Sequence, residues 1–422
     1  MAVLWGDKLA MANETGLVVE RLTDESIALM RQRIGFPNPT LRGSLGLGPW
    51  NRIAADDTIR HWALGNGDDN PLYTDPAYAA TTRWGGTIAS PGYEMSMGTD
   101  CSAIMDPDFA KATSKALRGI HLFNSGVDMY YHRPVRPGDS LFRSGWVASV
   151  EEKSSTFANR SVLVTNNQQT WNQNEEVVNS GSNWFIHTER RQASKTEGKY
   201  AKDQPAFYTD EQLREIEEAY DQQYLRGADT LYIEDCSVGQ TLPRMVKGPL
   251  TITDLMNFHM GSGWSPYGNY PHRLAYESRK GSRGFYTRNE YNAWDVLQRI
   301  HWEPKLAQQI GVQSSYDIGP MRFGMLGHYL TNFAGDDGWV YYMRTEYRAF
   351  NYMGDTTWLS GVITGVRTDE TLGPLIEIDV RGVNQRGGDN LVGKGIILVA
   401  SKSGGPAKLP PPPTITTHRR ST

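Results

Sequence analysis

Residues 61–92 read HWALGNGDDNPLYTDPAYAATTRWGGTIASPG. The apolar-periodic Ile59, Trp62 and Ala63 run straight into a Gly-Asp-x-Asn-Pro turn. A Tyr-x-Asp-Pro step then opens a short helix, and a Gly-rich bend leads to what reads as a buried helix after Gly92. Asp68, Asn70, Pro71 and Tyr73 form a loop too polar to be core. A loop held between packed elements is where reactive groups are commonly placed.

Working outward, the 422 residues suffice for two ordinary domains. A hydrophobic content of 39% with twelve Trp suits a packed globular chain. The formal charge of −4 is mixed along the sequence, which leaves no global footprint for nucleic acid or a membrane surface. Cys101 and Cys236 are the two cysteines, too few for a disulfide framework or a zinc cluster, so a reducing compartment is expected. With no run near 18 apolar residues and no signal pattern in MAVLWGDKLAMANETG, the expectation is a cytoplasmic protein.

The second half of the chain repeats the first. Tyr73-x-Asp75-Pro76-x-x-Ala79 matches His301-x-Glu303-Pro304-x-x-Ala307 at an offset of 228 residues. Arg133 and the turn Gly138-Asp139-Ser140 match Arg348 and Gly354-Asp355-Thr356, each followed by Ser-Gly. The hairpin tip Asn172-Gln173 matches Asn384-Gln385. Ordered matches of this kind mark a tandem duplication. Trp62–Gly67 matches Phe258–Gly263 at an offset of only 196, so the second copy carries an insertion rich in Tyr and Arg. The expected organisation is a helical extension (1–50), a first α+β domain (51–190), a linker with one helix (191–228) and a second domain (229–402) with its insertion at 265–295. A Pro-rich tail (403–422) is expected to be extended and mobile.

GDDNPLY-x-D-x-x-x-A closely resembles the G-D-x-N-P-[hydrophobic]-H-x-D signature of the MaoC-type acyl-CoA hydratases, and YIEDCSVGQTLP (232–243) is similar to the opening strand of such domains. The resemblance covers roughly residues 50–190 and 229–400. It implies a double hot-dog fold, an α+β architecture in which an antiparallel sheet wraps a central helix in each half. It further implies a lyase, a hydratase or dehydratase of the enoyl-CoA type, that adds water across an α,β-unsaturated acyl thioester. In that family an Asp and a His on the overhanging loop activate water, while backbone N–H groups hold the thioester oxygen. The acyl-CoA brings its own coenzyme A, no other cofactor or metal is implied, and a homodimer or higher homo-oligomer is expected.

Neither copy carries the family dyad in full. The first keeps Asp68 and Asn70 with Tyr73 in the His position, whereas the second has His301 with Trp264 where the Asp belongs. Asp295, six residues before His301, is the nearest acid. Water addition needs a base and an acid within hydrogen-bond reach, so the candidate catalytic residues are His301, Asp295, Asp68 and Tyr73. Gly92 and Gly319, each beside a helix start, suit backbone donation to a thioester oxygen. Asn70, Trp264 and the insertion's Arg283 complete the candidate substrate contacts. Each has a plainer reading: Asp68 as a turn cap, Tyr73 and His301 as packed core, Asp295 as a solvated acid, Arg283 as a basic loop. A thioesterase on the same scaffold and a catalytically lapsed thioester-binding protein are the competing functions.

Overall fold

The computed structural model describes residues 21–41, 48–153, 160–189, 203–263, 270–416 and 418. Its centre is one ten-stranded sheet, ordered β1-β3-β4-β5-β2-β9-β12-β11-β10-β6. The first half supplies β1 (Thr99–Asp100), β2 (His121–Tyr131), β3 (Leu141–Lys153), β4 (Ser161–Asn172) and β5 (Val177–Thr188). The second supplies β6 (Met245–Lys247), then β9 (Trp339–Glu346), β10 (Thr357–Asp369), β11 (Gly373–Asn384) and β12 (Asp389–Leu398). β7 (Tyr286–Arg288) and β8 (Trp294–Val296) form a separate ribbon within the insertion. The halves join where β2 runs antiparallel to β9, with Gly126 opposite Glu346 and Tyr130 opposite Tyr342.

The duplicated sequence positions do the same work in both halves. At each hairpin tip a Gln clasps the Gly-Asp turn: Gln173 Nε2 donates to Asp139 Oδ1 at 3.0 Å and Gln385 Nε2 to Asp355 Oδ1 at 2.7 Å. The same Gln oxygens accept from the Ser140 and Thr356 N–H groups, both at 3.0 Å. Helices α2 (Asp56–Gly65) and α7 (Ile252–Gly261) are also equivalent, and they pack on one another. Their last residues meet so closely that a Cβ on Gly65 would lie 2.9 Å from the Gly261 Cα. Trp62 and Phe258, matched in sequence, stand edge to face at 5.8 Å.

The halves differ in what fills the sheet. In the second half α10 (Gly319–Ala334) is a 16-residue helix buried from Met321 to Ala334. Leu326 and Leu330 are fully buried, and they seat over Gly393 and Gly395 of β12, where a Cβ would lie 3.1 and 2.7 Å from their methyls. β10 buries alternate residues, Thr357, Leu359, Gly361 and Ile363, as one covered sheet face requires. The expected central helix of the first half is reduced to a single 3-10 turn, Tyr93–Ser96. The reason is local: Gly92 and Gly98, at φ +95° and +119°, bracket the segment and stop a longer helix from propagating. α10 therefore serves both halves, touching β2 as well as β9 and β12.

In the linker, α6 (Asp210–Asp221) opens on a Thr209 capping box, as its sequence predicts. The insertion folds as α8 (His272–Gly281) and the β7–β8 ribbon. Buried Arg299 ties that ribbon down through the Thr287 hydroxyl (2.7 Å) and the Arg288 carbonyl (2.7 Å). Among the described residues no helix is long and apolar enough to cross a membrane.

The described part of the Pro-rich tail, residues 403–416 and 418, is extended but packs against the rest of the fold, where the sequence predicts a mobile end. Ala407 is buried in the main core, and its carbonyl accepts from Arg83 at 2.5 Å. Arg133 donates to the Pro410 carbonyl at 2.6 Å. Gln169 pairs with the backbone of Thr414 and Thr416, and His418 stacks on Trp146 at 4.7 Å. Polar sequence alone suggested a solvated end; the carbonyls of an extended chain found donors on the first half instead. Truncation after residue 405 is expected to lower stability by on the order of 3 kcal/mol, given several hydrogen bonds and buried apolar contacts. Thermal melting of the truncated chain checks this, and an unchanged melting temperature would refute it.

Candidate active site

Asp68 is held by its own loop. α2 ends at Gly65, Gly67 turns the chain at φ +62°, and Asp68 Oδ1 accepts from the Asn70 N–H at 3.1 Å. Asn70 in turn caps α3 (Pro71–Thr74), accepting from Leu72 N–H at 3.0 Å. The loop lies on α10 because Gly324 has no side chain, and a Cβ there would collide with Asn66 Oδ1. One turn further along the same helix is His328.

Three ionisable side chains from three elements therefore meet. His328 Nε2 is 3.6 Å from Asp68 Oδ1, with both side chains buried. Lys247, from β6, places Nζ 2.6 Å from His328 Nδ1 and 3.1 and 3.4 Å from the Gly67 and Asn66 carbonyls. Asn332, one turn beyond His328, brings Nδ2 to 3.1 Å from His328 Nε2. The ring's proton is thus linked to its neighbours: with Lys247 donating to Nδ1, Nε2 carries the proton towards Asp68, and with Asn332 donating to Nε2, Nδ1 carries it.

Burial dominates the titration of this group. It pushes the Asp68 carboxyl up to about 7, against the opposing pull of the Asn70 N–H and the Lys247 charge. It pulls Lys247 down to about 8, opposed by Asp68 and Asp69. It holds His328 well below the usual imidazole range, with the Lys247 charge adding to the effect. A carboxyl near 7 and an amine near 8 can exchange protons at small cost. Asp68, Asp69 and His328 set three donor atoms within 4.8 Å. The Lys247 ammonium already supplies a cation there, so these residues do not fit a divalent metal.

Tyr73 lies near the cluster and on the wall of a cavity. It is buried, its hydroxyl bonds the Thr331 side chain, and burial together with the Asp68 charge keeps its phenol protonated far above neutrality. Tyr73 and Thr331 line a cavity of about 30 Å³ together with Pro91, Glu94, Tyr131 and Arg133. That volume holds about two waters.

The other sequence candidates lie elsewhere. His301 is buried in the 3-10 turn Leu297–His301, where its Nδ1 donates to the Tyr316 carbonyl at 2.8 Å and burial pulls the ring down to about 4. Asp295 sits on β8, accepting from its neighbour Val296 N–H at 2.7 Å and facing Asn289. The two are not brought together as a dyad, because the ribbon carrying Asp295 turns its carboxylate to its own loop. Gly319 begins α10, nine residues and therefore about 13 Å from His328 along the helix. Gly92 starts the 3-10 turn beside the cavity. Arg283 is exposed, and Trp264 lies outside the described residues. In the insertion, Arg279 and Arg288 stack over Trp294 at 4.9 and 5.1 Å.

His328 and Lys247 were not among the candidates. The available signal was His328-x-x-x-Asn332, two polar groups on one face of an otherwise apolar helix.

Residues 46–180 match the family model described as the FAS1-like dehydratase domain region. A solved structure described as a MaoC-like dehydratase superposes with a TM-score of 0.55 at 16% identity, covering 87% of this chain and 99% of its own. The chain has the double hot-dog fold of the MaoC-like dehydratases. Two curated relatives, both described as UPF0336 proteins, align to shorter stretches. That from Streptomyces avermitilis is 30% identical over 97 residues, and that from Thermobifida fusca 29% over 124. The chain spans 61% of the length of the first and 75% of the second. Within this hot-dog frame, Asp68 comes from the loop of the first half and His328 from the central helix of the second. The cluster is therefore shared between the two halves.

Proposed function

We propose that this chain is a hydro-lyase that reversibly adds water across the double bond of an α,β-unsaturated acyl thioester. The observation carrying this reading is the buried Asp68–His328–Lys247 cluster beside Tyr73 and Thr331, which line a water-sized cavity in a dehydratase-type fold. In hydration, the Asp68–His328 pair, in which burial raises Asp68 to about 7, takes the proton of the attacking water, and Tyr73 stays neutral on the cavity wall. The oxygen bonds to Cβ, and the negative charge that develops on the thioester oxygen needs preorganised donors. The cavity has room for about two waters, so an acyl group needs it to widen. The substrate is taken to be an acyl-CoA. A cytoplasmic setting and a homo-oligomer belong to the same reading, the first supported by two cysteines that form no disulfide.

The test is a hydration assay on enoyl-CoA thioesters from short-chain to aryl-sized, comparing the wild type with His328→Ala and His301→Ala. Hydroxyacyl-CoA formation that falls at least about a hundredfold in His328→Ala supports the reading. Loss confined to His301→Ala would move the chemistry to the second half's own loop. Release of free CoA would indicate a thioesterase, and a wild type inert on every thioester would sink the enzyme reading.

A further inference from the structure

The cavity wall contains a buried acid that the mechanism above does not use. Glu94 lies in the segment SPGYEMS, within the 3-10 turn that replaces the first half's central helix. It is 8% exposed and is the only carboxylate lining the cavity among the described residues. Its Oε1 is 3.5 Å from the Tyr131 hydroxyl, and its carboxylate also faces the N–H groups of Gly92 and of Glu94 itself. No ion pair neutralises it among the described residues. Arg133, the one cation on the cavity wall, directs Nη1 to the His132 and Pro410 carbonyls instead. The phenols nearby are engaged as well: Tyr93 bonds Thr58 at 2.7 Å and Tyr73 bonds Thr331.

A carboxyl buried without a cation is expensive for a fold, and the two N–H groups and one long phenol contact offset that cost only in part on a wall otherwise lined by Leu72, Ile88, Val135 and Trp339. We propose that Glu94 is a second proton-transfer residue of the hydration site, facing the water and the acyl carbons inside the cavity. This rests on the hydro-lyase reading and deepens it. Hydration breaks the C=C π bond and forms one Cβ–O and one Cα–H bond. Asp68 and His328 accept the proton lost by the water, and protonated Glu94 supplies the proton that Cα gains. Proton exchange through the cavity waters then restores both groups. Burial pushes the Glu94 carboxyl up to about 7, which leaves a substantial protonated fraction near neutrality.

The experiment is Glu94→Gln in the full chain, assayed on an enoyl thioester that the wild type turns over. Expected is a fall in kcat of about 10²- to 10⁴-fold with KM within about threefold. Binding of the saturated acyl-CoA analogue should be unchanged. A kcat within about threefold of wild type, on a substrate the wild type hydrates, would overturn the role of Glu94 alone. A wild type without hydration activity would instead overturn the hydro-lyase reading, and the inference with it. Should Glu94→Gln fail to fold, Tyr131→Phe decides. The Tyr131 hydroxyl lowers the Glu94 carboxyl, so its removal is expected to move the pH midpoint of kcat upward. An unmoved midpoint would count against the proposal.

Discussion

Asp68→Asn is expected to lower kcat for thioester hydration by about 10²- to 10⁴-fold while leaving the protein folded. Asn matches the shape of Asp and can still accept from the Asn70 N–H, so the turn that starts α3 survives. What disappears is the site that gains and loses a proton beside His328. The variant also has a pH signature of known sign. Burial raises Asp68 from an ordinary 3.8 to about 7, so the folded chain binds this proton more tightly than the unfolded chain does. Its stabilising contribution is fully present below pH about 4 and fades as pH rises towards 7. Asn carries no such dependence. The melting temperature of the variant, relative to wild type, should therefore climb between about pH 4 and pH 7 and level off above. Activity within about threefold of wild type would remove Asp68 from the mechanism. A melting difference that is flat with pH would show that its carboxyl is not the buried group described above.

The largest loss of stability is expected from Arg322→Ala. Arg322 sits in the first turn of α10, and its Nε lies 2.9 Å from Asp317 Oδ2, with both side chains buried. Its Nη1 donates to the Ala349 and Asn390 carbonyls at 2.9 and 2.8 Å, and the guanidinium stacks over Tyr347 at 4.4 Å. Removing it strands Asp317, which burial already pushes up to about 6 with Arg322 opposing. Breaking a buried pair from one side costs about 3–5 kcal/mol. The urea midpoint of the single variant measures this. The double change Asp317→Asn with Arg322→Met should recover much of the loss, because the uncompensated charge is then gone. A single variant as stable as wild type would refute the account.

The duplication was legible in the sequence because it is written in turns. Gly138-Asp139 and Gly354-Asp355 need the same clasping Gln, and that requirement keeps short motifs at fixed places in each copy. The organisation around the GDDNP loop was legible for a similar reason: Asp68, Asn70 and Asp75 each bond to backbone within three residues. The partner of Asp68 was not legible. His328 lies 260 positions away on a helix whose apolar period advertises only burial, and Lys247 sits at the end of a three-residue strand. Such a cluster depends on Gly324 letting a loop lie on a helix, a tertiary contact that leaves no local trace. The missing helix after Gly92 was misread because SPGYEMSM is apolar enough to be buried, while the two glycines that limit it look like ordinary bends.

The strap formed by residues 407–418 has a consequence for the newly made chain. The first half is translated by about residue 190, yet Arg83, Arg133, Gln169 and Trp146 wait for partners that follow it by some 220 residues, at Ala407, Pro410, Thr414 and His418. At a synthesis rate of about 5–20 residues per second, that interval is roughly ten to fifty seconds. During it, β2 also lacks β9 and presents an open edge of a kind that invites pairing with other chains. Ribosome-bound intermediates should therefore depend on chaperones until residues 407–418 emerge, and substitutions that release this strap should harm the first half more than the second.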